Sequence, residues 1–292
     1  MRPPTALTIA GTDPSGGAGI QADLKTFTAL GTYGTSAITA VVAQNTTGVQ
    51  DVHYLPGAFV DAQITSVIDD IPLDATKIGM LGTAEIATSV ADALSARRRD
   101  FGRIVLDPVM VATSGDPLIS GEAARIVRER LVPMADVLTP NLMEAAQLLG
   151  EDAATDVDSM RDQALRLQKL GVSVVVLKGG HVQGDQLVDV VVHPGGTDLL
   201  RADRINTRNT HGTGCTLSSA IAAQYARIAD FDRNGDLGEI GKRGSGDDDF
   251  TIVASAREFL AGALERAVDW TLSKNPSKSH GPVNHLITLD EA

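Results

Sequence analysis

Short β-type runs alternate with helix-type segments almost to the end of the chain, and this alternation constrains the fold more than any other feature. The β-type runs are 7–10, 36–43, 76–78, 103–106, 137–139, 173–177, 187–192 and 199–201. The helix-type segments are 18–30, 58–68, 84–97, 122–130, 142–149, 159–170, 213–229 and 251–272. Strands separated by helices of this length need crossover connections. The pattern therefore predicts an α/β fold with a mainly parallel sheet covered on both faces. Aromatic residues make up only 3% of the chain, so Ala, Val, Ile and Leu must supply the core. Helices packed on a parallel sheet use that palette. In such sheets ligands bind beyond the C-terminal ends of the strands, so residues that follow strands are read first for chemistry.

The net charge of −12 argues against nucleic acid or an anionic membrane as a partner, since both attract Lys and Arg. Phosphate would have to be held locally, by backbone amides, a few lysines or a metal. A single cysteine excludes an intramolecular disulfide. The first residues are too polar for a secretory signal, and no apolar run reaches membrane-spanning length. A cytoplasmic location is the expectation. The segment 230–250 is acidic and glycine-rich, and it reads as a mobile surface insertion. Its Asp230-x-Asp232-x-Asn234-Gly235 run imitates the start of a calcium loop. Gly241 stands where the bidentate Glu is required, so the ligand pattern is incomplete.

Three sites follow strands. Gly11-Thr12-Asp13-Pro14-Ser15-Gly16-Gly17-Ala18-Gly19 lacks both the Walker Lys-Ser/Thr and the G-x-G-x-x-G spacing. Alone it reads as a strand-to-helix turn. Asn209-Thr210-His211-Gly212-Thr213-Gly214-Cys215-Thr216 opens an apolar helix. Unpaired amides and the helix dipole at such a start make an anion site without basic side chains. Cys215 in the first turn is either a thiolate favoured by the helix end or a small packed side chain. The third set comprises Asp107-Pro108-Val109-Met110, Asn141-Leu142-Met143-Glu144 and Lys178-Gly179-Gly180-His181. Carboxylates suit a hydrated magnesium ion and a lysine suits phosphate. Singly, Asn141 and Glu144 also fit a helix cap with its third-position acid.

Together these stretches resemble the hydroxymethylpyrimidine and phosphomethylpyrimidine kinases of thiamine biosynthesis, in the ribokinase-like superfamily. The resemblance runs through Ala10–Asp23, Ala43-Gln44-Asn45-Thr46, Lys77-Ile78-Gly79-Met80-Leu81, Leu106–Met110 and Thr139–Ala145. It continues through Leu177–His181, Asn209–Cys215 and His280-Gly281-Pro282-Val283-Asn284-His285. It implies a single three-layer α/β/α kinase domain over 1–292, ATP and Mg2+ as reactants, and a homodimer. The implied activity is two successive phosphorylations of a hydroxymethyl-pyrimidine. Residue by residue, it places Gln44 and Asp23 against the pyrimidine, with Gly11, Met80 and Val109 lining that pocket. Gly212, Thr213 and Gly214 would cradle the phosphoryl group, with Cys215 as base. Asp107, Asn141, Glu144 and Lys178 would serve the ATP phosphates, and Asp107 and Glu144 the magnesium, through water. Most ribokinase-like enzymes have Asp at the position of Cys215. The alternatives are a pyridoxal or pyridoxine kinase, a non-catalytic pyrimidine sensor, and a hydrolase using Cys215 and His211.

Overall fold

The computed structural model describes residues 2–110, 119–180, 186–234 and 249–287. Its centre is an eight-stranded sheet in the order β10-β9-β8-β7-β6-β5-β1-β2. β1 (Thr5–Ala10), β2 (Tyr33–Ile38), β5 (Ala75–Ile78), β6 (Arg103–Leu106), β7 (Val137–Leu138) and β8 (Val174–Leu177) run parallel. β9 (Gln186–His193) and β10 (Gly196–Asp203) close one edge antiparallel.

The strands are apolar on both faces, and their alternation sorts the core into two layers. Leu7, Ile9, Ile78, Ile104, Leu106, Leu138, Val175 and Leu177 face α2 (Gly57–Ile68), α3 (Ala84–Arg97), α4 (Gly121–Ile126), α5 (Leu142–Leu149) and α6 (Val157–Gln168). Ala6, Ala75, Val105, Val137, Val174 and Val176 face α1 (Gly19–Ala29), α7 (Thr213–Asn234) and α8 (Asp249–Glu265). The α/β/α expectation and the mainly parallel sheet are thus what the chain adopts. By the same alternation, Thr8 and Lys77 fall on the α1/α7 face, among otherwise apolar neighbours.

Four differences from the sequence reading have local causes. The run 36–43 is two strands, because Thr39 leaves the sheet: its amide donates to Ala10 O at 3.0 Å and its hydroxyl to Met80 O at 2.7 Å. β3 (Ala40–Asn45) then pairs with β4 (Gly48–Tyr54), a separate hairpin with a bulge at Ala43/Gln44. The segment 122–130 ends α4 early and continues as a π-helical turn, Val127–Leu131. Residues 230–234 are the last turn of α7, and α8 begins at Asp249, so the expected insertion shrinks to 235–248. Those residues, like His181, lie outside the described ones. No helix among the described residues is long and apolar enough to cross a membrane.

Candidate active site

The direction of the sheet reverses between β1 and β5, since β1 leads to β2 on one side while later strands extend the other. Ligand clefts form at such a point, beyond the carboxyl ends of the strands. Here the residues leaving β1 (Gly11 to Asp13), β5 (Met80), β6 (Asp107, Val109), β7 (Asn141) and β8 (Lys178) border one cavity of ≈ 950 Å³. Gln44 from the β3–β4 hairpin and Gly212–Cys215 from the start of α7 complete that end. The other end sets Leu187, Leu260 and Leu264 among the charged Asp189, Arg257 and Glu265. A volume at the upper end of ordinary ligand pockets suits two small molecules held end to end.

The two glycine loops pack back to back. Gly212 has φ +79°, and a Cβ there would overlap the Gly17 carbonyl, so only glycine permits this approach. Within the first loop the amides are already used. The Asp13 carboxylate accepts from the amides of Ser15 at 2.9 Å, Gly17 at 3.1 Å and Ala18 at 2.7 Å. It also pairs with His211 Nε2 at 2.8 Å. Burial works to raise the pKa of Asp13, but hydrogen bonds from His211, Ser15 and Gln44 hold it well below the usual carboxylate range.

The second loop differs. At the start of α7, Thr213 N donates to Thr210 O at 3.4 Å and Thr216 N to Gly212 O at 2.8 Å. The amides of Gly214 and Cys215 have no partner among the described residues. They sit at the positive end of a helix running to Asn234, which is the arrangement that binds an anion. A Cβ on Gly214 would come 3.4 Å from Lys178 Nζ and 3.6 Å from Asp107 Oδ2, so the cradle abuts the charged residues.

Those residues form a buried cluster. Lys178 Nζ lies 3.1 Å from Asp107 Oδ1, which also accepts from Thr139 Oγ1 at 3.0 Å. Burial opposes ionisation of Asp107, yet Lys178 and Lys77 keep it below the usual carboxylate range. Asn141 and Glu144 form the capping box that opens α5: Glu144 N donates to Asn141 Oδ1 at 2.9 Å and Asn141 N to Glu144 Oε2 at 2.8 Å. The cap fixes both residues at the cavity wall. Burial pushes Glu144 up to about 7, with Lys178 opposing and Asp107 adding to the rise. Lys178 stays cationic: burial would lower its pKa, but Asp107 and Glu144 raise it.

Asp23 requires a correction. It is 0% exposed, does not border the cavity, and cannot touch a bound ring. Lys77 Nζ lies 3.0 and 2.9 Å from its two oxygens. Thr8 Oγ1 and Ser219 Oγ donate to it at 2.6 Å each. Asp23 lies on the face of α1 that carries Ile20, Ala22 and Phe27 into the core, so it is a structural counter-ion. Sequence reasoning gives Lys77 no role. The available signal was a lysine inside an apolar strand, a placement that needs a buried partner.

Burial works against the expected thiolate at Cys215 in the ligand-free chain. Burial raises the thiol to about 11; Lys77 and the hydrogen-bonding Gly19 amide pull it down, while Asp23 and Asp107 push it further up. His211 is bonded to Asp13 and has no hydrogen bond to Cys215, which removes the geometry a Cys–His hydrolase needs. Gln44 does reach the site, 3.5 Å from His211 Nε2. Gly11 and Met80 meet closely: a Cβ on Gly11 would lie 2.5 Å from Met80 Cε.

An open α/β sheet with a helix-start anion cradle, flanking lysines and paired carboxylates at its switch point defines a small-molecule phosphotransferase. A family model for phosphomethylpyrimidine kinase matches residues 13–233. The hydroxymethylpyrimidine/phosphomethylpyrimidine kinase of Escherichia coli is 52% identical over 286 residues, 98% of this chain and 98% of that protein. Its counterpart from Rhizobium meliloti is 50% identical over 282 residues, 96% of each. Among solved structures, an ADP complex of Bacillus subtilis pyridoxal kinase superposes with a TM-score of 0.82 at 35% identity, covering 98% of both chains. A phosphomethylpyrimidine kinase from Clostridium difficile gives 0.72 at 37%, covering 89% of this chain and 98% of that one. This chain belongs to the phosphomethylpyrimidine kinase family.

Proposed function

We propose that this chain is a bifunctional kinase that transfers the γ-phosphoryl group of ATP to 4-amino-5-hydroxymethyl-2-methylpyrimidine, and then a second group to the resulting monophosphate. The observation that carries this is the pair of unpartnered amides at Gly214 and Cys215, opening into one cavity that runs from Gln44 to Leu260 and Leu264. Gln44 offers its amide to the pyrimidine, with Gly11, Met80 and Val109 as walls. The end near Leu260 and Leu264 takes the nucleotide base.

The residues divide the work. The free amides of Gly214 and Cys215, on the turn formed by Gly212 and Thr213, present the cradle to the transferring group. Lys178 offsets charge on the phosphates. The substrate hydroxyl oxygen attacks the γ-phosphorus, the bond to ADP breaks, and the hydroxyl proton passes to Cys215 as thiolate. Most of the catalysis comes from position and charge neutralisation, because the transition state is loose. Among the described residues no three His, Cys, Asp or Glu side chains cluster as a metal cage. Asp107 and Glu144 beside the cradle are carboxylates of the kind that would hold a hydrated magnesium ion through water. Bound there, Mg2+ would neutralise charge on the phosphates.

Incubating the purified protein with ATP, Mg2+ and the pyrimidine, with products read by mass, should show monophosphate and then diphosphate. Absence of both at saturating substrate would falsify the reading. A second reading, pyridoxal kinase, has less support: the Bacillus subtilis pyridoxal kinase is 35% identical to this chain, the Escherichia coli hydroxymethylpyrimidine/phosphomethylpyrimidine kinase 52%. The ratio of kcat/KM on the two substrates decides between them. A homodimer is also proposed, because the edge strand β2 exposes Tyr33 and the hairpin exposes Val41. Sedimentation at the monomer mass would refute it. The cytoplasm is the location that suits such an enzyme.

A further inference from the structure

The far end of the cavity holds an ion pair that the proposed chemistry does not use. Asp189 is the one acidic residue of β9 and is 5% exposed, so its charge needs partners inside the protein. Its Oδ1 accepts from the Gly179 amide at 2.9 Å and its Oδ2 from Arg257 Nε at 3.0 Å. A Cβ on Gly179 would lie 1.9 Å from Val188 O, so only glycine lets the turn after Lys178 close on β9. Arg257 borders the cavity together with Leu260, Ala261 and Leu264. The four stand at i, i+3, i+4 and i+7, one face of α8. The Arg257 side chain is only 14% exposed. Asp189 takes its Nε–H, and its Nη groups have no hydrogen-bond partner among the described residues. A guanidinium clamped through Nε presents a planar fork of donors in a fixed direction. Donors so far withdrawn from water call for an acceptor.

We propose that the free Nη groups of Arg257 donate to the nucleotide at this end of the cavity, and that Asp189 is the residue that positions Arg257. This rests on the reading of the chain as an ATP-dependent kinase whose nucleotide base lies near Leu260 and Leu264. The ring nitrogens and ribose oxygens of a nucleotide are acceptors of the kind the fork needs. The pyrimidine, at the Gln44 end, takes no contact from Arg257. Through the Gly179 amide the same carboxylate fixes the turn that follows Lys178, so one buried side chain sets both cations that serve the nucleotide.

Arg257→Gln separates ligand binding from scaffolding. Gln Nε2 is as many bonds from Cα as Arg Nε, so the variant keeps a donor for Asp189 and deletes only the Nη groups. Calorimetric titration with ADP should show Kd raised about tenfold or more, the loss expected for charge-assisted hydrogen bonds. The melting temperature of the free protein should hardly move, and KM for the pyrimidine should stay within about twofold. Asp189→Asn replaces one acceptor oxygen by a donor and should weaken ADP to a similar degree. The double variant Asp189→Asn/Arg257→Gln should bind ADP no more weakly than Asp189→Asn alone, because the two residues act as a unit. Fully additive losses would show that Asp189 does not act through Arg257. A folded Arg257→Gln that binds ADP like the natural protein overturns the proposal and leaves the pair as scaffold. So does a raised KM for the pyrimidine with ADP unaffected. Should Arg257→Gln not fold, Arg257→Lys decides: it keeps the charge without the fork, and an unchanged Kd for ADP overturns the proposal. Absence of ADP binding in the natural protein would refute the kinase reading itself, and this inference with it. Binding that is intact in the natural protein and unchanged in the variants refutes only the role of Arg257.

Discussion

The two glycine loops follow the same design in sequence and do opposite things in space. The first carries four glycines and the second two, and both open a helix, α1 or α7. In the first loop Asp13 takes up the amides of Ser15, Gly17 and Ala18, so the loop is internally satisfied and stiff. In the second, Gly214 and Cys215 keep their amides free for a ligand. An anion site is therefore defined by amides left unpaired, and glycine content alone does not distinguish it from a buttress. The first loop supports the second, through the Gly17–Gly212 contact and the Asp13–His211 pair.

The largest test of that contrast is Gly212→Ala. Positive φ costs about 1–3 kcal/mol, and the Cβ must also push against the Gly17 carbonyl. Displacing the cradle should cut kcat by about 10²–10³-fold, the usual cost of losing oxyanion donors. Steady-state rates near those of the natural protein would show that the loops do not need to touch.

Cys215→Ala comes next. Loss of a general base typically costs about 10²–10⁴-fold, and ATP binding measured by calorimetry should hardly move. A rate within twofold or so of the natural one would reduce Cys215 to packing.

Asp13→Asn probes the buttress instead. Replacing an acceptor of three amides and His211 by a carboxamide should lower stability by about 1–3 kcal/mol in denaturant unfolding. Turnover of the folded fraction should drop less than in Gly212→Ala. The reverse order, with Asp13→Asn the more damaging to kcat, would mean that the first loop handles ligand directly.

The smallest effect concerns Glu144→Gln. Glu144 titrates near 7 in the folded chain, above the ordinary 4.5. Between those values the folded state holds a proton that the unfolded state has released. The contribution of Glu144 to stability is thus greatest below pH 4.5 and declines as pH rises from there through 7. A glutamine at this position does not titrate and lacks this decline. The variant should therefore gain melting temperature over the natural protein at pH 8 and little at pH 5. An equal difference at both pH values would place the Glu144 pKa elsewhere.

Much was legible before any coordinates. The segments 84–97 and 142–149 are helices α3 and α5 with those bounds, because their apolar residues recur at helical spacing and Thr83 and Asn141 cap them. The 103–106 run is β6. Strand β4 escaped notice because none of its residues is buried and it pairs only with β3, away from the main sheet. The Gly212–Cys215 start was found as a glycine motif opening a helix, and Gln44 through the family resemblance. The far end of the cavity was not, since Leu187, Ala202 and Leu260 come from β9, β10 and α8 and share no local pattern.

Local periodicity and capping are properties of neighbouring residues, so the amino-acid order alone determined the element types, the α/β class and the helix start that offers its amides. Pairing between distant groups depends on where the chain brings them. Only the tertiary structure decided that Asp23 meets Lys77 instead of a substrate, that Asp13 consumes one loop's amides, and that burial outweighs the helix end at Cys215.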